Sequence, residues 1–180
     1  MSFNKTIIRW VSACALACAA VSAPHAAPPA SEAAARAAAS PDSPQLAAFK
    51  KSIRAMYDMK EKAFAAHDAE TIVTKFYSPD VISVGEGEGI FIGREAIRPL
   101  YLEVVKDNKV KIVSKHTFVD GNAGWDWVDF HVIPGKDKPF TFAMLFLWSR
   151  QDGHWVCKGD FFVNGSFESG KLGTPEPAAK

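Results

Sequence analysis

Trp125-Asp126-Trp127-Val128-Asp129-Phe130-His131-Val132-Ile133 opens a region in which polar and apolar residues alternate. Two runs of the same kind follow, Phe140-Thr141-Phe142-Ala143-Met144-Leu145-Phe146-Leu147-Trp148 and His154-Trp155-Val156-Cys157-Lys158-Gly159-Asp160-Phe161-Phe162-Val163. Period-two runs rich in aromatic and β-branched residues predict strands, and the Gly, Pro and Asp between them predict reversals. Asp152-Gly153 is a hairpin turn by its chemistry, because tight turns need positive φ. The expectation is a curved antiparallel sheet on which the rest of the chain packs.

Working outward, Val110 to Asp120 reads as a further strand, closed by a turn over 121–124. Upstream, Ser43 caps a helix with Pro44 in its first turn. Leu46, Phe49, Ile53, Met56, Tyr57, Ala63 and Phe64 form its apolar face, with Lys50, Lys51, Arg54, Lys60 and Lys62 on the solvated side. The spacing predicts about six turns. Asp68 caps a short helix ending near Phe76. Pro79-Asp80 turns into a strand over 81–84, Gly85-Glu86-Gly87-Glu88-Gly89 makes a turn, and Ile90-Phe91-Ile92 makes a second strand. Gly-x-Gly-x-Gly is no phosphate loop here, since no helix follows directly and two carboxylates would face the anion. Gly93 starts a last helix carrying Ile97, Leu100, Tyr101, Val104 and Val105, with Pro99 expected to bend it. From Gly165 onward periodicity ends, predicting a frayed tail.

The chain has 180 residues, 48% of them hydrophobic, enough for one good core. Lys5 and Arg9 precede an apolar run over 10–21 and a small-residue cleavage pattern at Val21-Ser22-Ala23, with Ala26 as an alternative. This predicts a signal peptide over 1–26 and export, most simply to a periplasm. Cys14 and Cys18 leave open a lipoprotein. The layout is then leader 27–43, domain 44–167 and disordered tail 168–180. Without Lys5 and Arg9 the chain keeps 19 basic and 20 acidic residues. That balance gives no case for nucleic acid, or for a membrane once the signal is cleaved. Cys157 would be the sole thiol of the exported chain, a buried one and no disulfide.

Phe76-Tyr77-Ser78-Pro79-Asp80-Val81 followed by Gly93-Arg94-Glu95-Ala96-Ile97, and the hairpin Trp148-Ser149-Arg150-Gln151-Asp152-Gly153-His154-Trp155, together resemble the nuclear transport factor 2-like superfamily, in particular its SnoaL-like bacterial members. The resemblance covers about 44–167. It implies an α+β fold: a cone-shaped curved antiparallel sheet wrapped around N-terminal helices, a cystatin-like α+β barrel. It says less about activity, because a fold does not fix a function. The ketosteroid isomerases of this superfamily use an Asp base, a Tyr and a protonated Asp. Here Gly85 and Glu86 stand at the base position, an apolar residue near Leu145 at the protonated Asp, and only Tyr57 is available as the tyrosine.

SnoaL-type cyclases place His and Asp in an aromatic cone, and by that likeness Asp129, His131 and Asp160 are the candidate acid/base residues. Tyr57, Trp127, Phe142 and Met144 are the candidate ligand contacts. Trp125, Trp127, Asp129 and His131 share one strand face, with Asp129 and His131 about 7 Å apart. A four-residue loop over 135–138 sets His131 opposite Phe142, Asp129 opposite Met144 and Trp127 opposite Phe146. Asp160 points away from Asp129 if the last turn has two residues and joins it if the turn has three. A one-residue slip decides between them, and which face lines the pocket stays open. His116, His131, Asp129 and Asp160 lack metal-ligand spacing, so no metal and no cofactor is expected. Apolar residues on both sheet faces predict a homodimer. Three functions fit: binding a small, largely apolar molecule in an aromatic pocket; acid/base catalysis of the cyclase, isomerase or dehydratase kind on a carbonyl compound; and a protein-interaction module.

Overall fold

The computed structural model describes residues 42–172. The expected signal peptide, the leader up to 41 and the residues from 173 lie outside the described residues. The order is α1 (Pro44–Ala65), a short α2 (Ala69–Thr71) continued by a π turn (Ile72–Phe76), β1 (Tyr77–Gly85), β2 (Gly89–Ile92) and α3 (Arg94–Val104). Then come β3 (Asn108–Asp120), β4 (Ala123–Pro134), β5 (Phe140–Gln151), β6 (His154–Ser166) and a two-residue β7 (Lys171–Leu172). The strands lie in the order β2-β1-β6-β5-β4-β3, with β7 paired to β6. All neighbours are antiparallel except β1 and β6, which run parallel. The fold is α+β as expected. The sheet is curved but open, with β2 and β3 as its edges.

The local signals hold in detail. The Ser43 hydroxyl accepts from the Leu46 N–H and Pro44 fills the first turn of α1. Asp68 accepts from the Thr71 N–H and hydroxyl at 2.9 and 2.6 Å, satisfying donors that a helix start leaves free. Pro79 lies inside β1, not in a turn before it, and pairing with β6 is irregular between Tyr77 and Ile82. Proline cannot donate to a ladder, so the strand breaks step there. The β3 edge is closed by α1. Glu61 accepts from the Ile112 N–H at 2.9 Å, and Arg54 donates to the Ile112 carbonyl at 2.6 Å. These side chains occupy backbone groups that an open edge would offer to another strand.

Two register features set the faces of the sheet. Between β4 and β5 the last ladder pair is Val132 with Phe140, so His131 faces Thr141, Asp129 faces Ala143 and Trp127 faces Leu145. The expected pairs with Phe142, Met144 and Phe146 are each displaced by one residue. Pro134 and Pro139 flank the connection and cannot pair as donors, and Gly135 donates to the Asp107 carbonyl instead. Between β5 and β6 the turn has two residues, Asp152 and Gly153, and Lys158 is then left out of the ladder. Trp148 pairs with Cys157, and Leu147 with Gly159. This bulge puts Asp160 opposite Phe146.

One face, which we term inner, packs against the helices. Val128, Phe130, Val132, Met144, Phe146 and Trp148 on that face join Phe49, Ile53, Phe64, Phe76 and Ile97 in the core. The outer face carries Trp125, Trp127, Leu145, Leu147 and Phe161. Residues expected to fray are held: Phe167 and Glu168 donate backbone N–H groups to Asp129 at 2.7 and 3.3 Å, and Gly165 pairs with Leu172.

Candidate functional site

The inner face of the sheet, α3 and the end of α1 line a half-open pocket of about 270 Å³. Its walls are Phe64, Leu100, Tyr101, Val104, Val110, Phe130, Val132, Phe140, Phe142, Met144 and Phe162, with Glu88 and Asn108 as the other polar members. A concave, mostly apolar space with few polar groups is the usual form of a ligand site. A larger concavity of about 530 Å³ beside α1 and α2 is an open groove lined by Ala55, Asp58, Met59, Lys62 and their neighbours. The smaller pocket is less open and is lined mainly by aromatic and aliphatic side chains, so it is the better site.

Behind Tyr101 lies a cluster of charge in the core. Lys60 is fully buried, and its Nζ donates to the hydroxyls of Tyr77 at 2.8 Å and Tyr101 at 2.9 Å. The two phenol oxygens are 2.6 Å apart, and Tyr77 donates to Asp160 Oδ2 at 2.5 Å. The rings of Phe76, Tyr77, Phe146, Tyr101 and Phe130 surround the ammonium at 4.2–5.5 Å. The faces of these rings attract a cation. Local structure places each member. Arg94 donates to the carbonyls of Tyr77 and Thr74, tying the π turn to α3, and the β6 bulge turns Asp160 inward.

Burial governs the electrostatics. It lowers Lys60 to about 8 against the pull of Asp160, whose own carboxyl is raised by burial and held back by Lys60. Burial and the neighbouring Asp160 push both phenols up, so they remain hydrogen-bond donors. The Cys157 thiol, donating to the Gly159 carbonyl at 3.2 Å, is also raised by burial. A thiol held neutral in this way is a packing group. Isolated buried ions are costly, and this pair is retained through shared phenols and ring faces.

The residues singled out from sequence separate into three places. Phe142 and Met144 line the pocket, and Asp160 belongs to the cluster behind it. Tyr57 is in the core, donating to Asp126 at 2.9 Å beside Ser114 and Thr117. Asp129, His131 and Trp127 are on the outer face. Asp129 holds the Phe167 turn and pairs with Lys115 at 3.2 Å. His131 Nδ1 meets the Thr141 hydroxyl at 2.9 Å, and Trp127 packs under the Phe167 ring. Asp160 is therefore brought together with neither Asp129 nor His131.

Lys60, Tyr77 and Tyr101 were not singled out, and Lys60 was placed on the solvated face of its helix. The signal was present, because Phe49, Ile53, Tyr57, Lys60 and Phe64 follow one another at steps of four, four, three and four. That spacing puts Lys60 inside the apolar stripe. Among the described residues, no three His, Cys, Asp or Glu side chains stand close enough to hold a metal.

Residues 53–157 match the SnoaL-like domain. The chain belongs to the SnoaL-like family. The match runs from the middle of α1 into β6, so Lys60, Tyr77 and Tyr101 lie within it and Asp160 just beyond. Solved structures show the same fold at low identity. A nuclear transport factor 2-like protein of unknown function from Pseudomonas putida is 16% identical, with a TM-score of 0.59 over 73% of this chain and 98% of that one. A cystatin-like domain of unknown function from Nostoc punctiforme is 18% identical, with a TM-score of 0.56 over 67% and 80%. A cystatin-like protein from Caulobacter vibrioides is 14% identical, with a TM-score of 0.57 over 67% and 92%. No curated protein matches the sequence.

Proposed function

We propose that this SnoaL-like domain binds a small, largely apolar molecule in the pocket between α3 and the inner face of the sheet. The observation that carries the reading is the lining: a concavity of about 270 Å³ walled mainly by aromatic and aliphatic side chains. The volume lies just below the usual range of ligand sites, which suits a compact ligand. Acid/base chemistry is the second reading, favoured by the buried Lys60–Tyr–Asp160 cluster next to the same pocket. In both readings Asp129 and His131 serve the outer face, where they hold the C-terminal turn and the β4–β5 edge.

The basic start and the apolar run over 10–21 support export of the protein to the periplasm. The outer face supports a homodimer. Two rows cross the sheet in register, Ile92, Ile82, Gly159, Leu147, Trp125, Phe118 and then Ile90, Val84, Phe161, Leu145, Trp127, His116. Ile92 is 70% exposed, Leu147 46% and Phe118 48%. Exposed apolar area of this continuity marks an interaction surface, and a second copy supplies a matching one.

A thermal-shift screen with aromatic ketones, small carboxylic acids and lipid-like compounds tests the binding reading. A ligand at a hundred times its dissociation constant adds about 2.7 kcal/mol of stability. Stabilisation by one class of compact apolar compound is expected. A flat response across the whole set contradicts the reading.

A further inference from the structure

The polar cluster has a spare proton at the pocket wall. Lys60 donates to the oxygens of both Tyr77 and Tyr101, and Tyr77 spends its own hydrogen on Asp160. The 2.6 Å contact between the phenols is therefore made by the Tyr101 hydrogen. Tyr77 already receives a donor from Lys60, so the cluster can give up this bond without orphaning a buried acceptor. Tyr101 is also the member of the cluster that belongs to the pocket wall, and as a residue it keeps 8% exposure where Tyr77 keeps 1%.

We propose that Tyr101 is the polar anchor of the pocket, donating its hydroxyl proton to a neutral carbonyl oxygen on an otherwise apolar ligand, with Lys60 as the residue that positions and polarises it. The inference rests on the pocket being a ligand site. A ketone or aldehyde fits better than a carboxylate for two reasons. The Lys60 charge is already balanced by Asp160, and Glu88 is the one charged side chain of the pocket wall. A phenol oxygen that receives a proton from an ammonium is a stronger donor of its own, because linked hydrogen bonds polarise one another.

The test uses three probes of one shape: 2-acetylnaphthalene, 2-ethylnaphthalene and 2-naphthoate, each titrated calorimetrically into the wild-type protein, Tyr101→Phe and Lys60→Met. The ketone is expected to bind about tenfold more tightly than the hydrocarbon, the scale of one hydrogen bond strengthened by a neighbouring charge. It is also expected to bind more tightly than the carboxylate. Tyr101→Phe should bring ketone and hydrocarbon within about twofold while leaving hydrocarbon affinity unchanged, which also reports that the variant is folded. The carbonyl stretching band of the bound ketone should lie at lower frequency in the wild type than in Tyr101→Phe, with Lys60→Met between them. That readout is insensitive to a merely structural role. Equal binding of ketone and hydrocarbon in the wild type, or a preference surviving in Tyr101→Phe, overturns this inference and leaves the pocket reading standing. Binding of none of the three overturns both.

Discussion

Lys60 decides how the core behaves with pH. Its folded-state value is about 8 against 10.5 for a free lysine, so between those values the unfolded chain holds a proton that the folded chain has released. The Lys60 contribution to stability therefore rises with pH across this window, at ~1.4 kcal/mol per unit at most. The gain ends near pH 9, where the unfolded chain begins to lose the Cys157 thiol proton that the folded chain keeps, and it reverses near pH 10, where Tyr57, Tyr77 and Tyr101 act in the same way. Urea denaturation from pH 7.5 to 9 should show an increase of up to about 1 kcal/mol, and Lys60→Met should abolish it. A flat wild-type profile would mean that the ammonium is no less stable in its cage than in water. The same residue illustrates what the sequence conceals. Its position in the apolar stripe of α1 is plain from spacing, but lysine is so seldom buried that its charge outweighs its position until Tyr77, Tyr101 and Asp160 are seen around it. Those partners come from β1, α3 and β6, and no local pattern connects them.

At the level of elements, strands, turns and caps were legible because each depends on neighbours in sequence: Ser43, Asp68, Asp152-Gly153 and the alternating runs all act as their chemistry requires. Register was not legible. One displaced pair between β4 and β5 moves Trp127, Asp129 and His131 to the face opposite Phe142 and Met144, and an unpaired Lys158 returns Asp160 to the inner side. Two single-residue effects thus separate residues that the sequence suggests as one site. Gly159, next to the bulge, is part of this device. A Cβ there would lie 2.9 Å from the Ile82 carbonyl oxygen on the parallel neighbour and 3.5 Å from a Leu147 methyl. Gly159→Ala should accordingly cost about 1–3 kcal/mol, the usual range for overpacking, as a lower urea midpoint with an unchanged slope. No loss would show that β1 and β6 separate freely at this point.

For the whole molecule, the two sheet faces divide the work: the inner face forms the core and the pocket, and the outer face is proposed to meet a second copy. Placing a charge at the centre of the outer rows should separate the copies without touching the core. Leu147→Lys is expected to convert a dimer to a monomer in sedimentation equilibrium while the far-ultraviolet spectrum stays the same. A wild-type protein that sediments as a monomer at every concentration would instead point the outer face towards another protein. The fold class and the SnoaL-like likeness were readable from sequence because they rest on element order. The pocket was readable only in part, through Phe142 and Met144, because its far wall is α3 and its polar end is assembled from four elements.

The most direct measurement of the central claim uses the methionine methyl groups. Met144 lines the apolar pocket and Met59 lines the open groove beside α1 and α2. Carbon-13 methyl labelling, with Met144→Leu to assign the resonance, reports on both concavities in one titration of a compound that stabilises the protein. The account predicts that the Met144 methyl shifts in proportion to occupancy while Met59 stays in place. A stabilising compound that moves Met59 and leaves Met144 unchanged would contradict it.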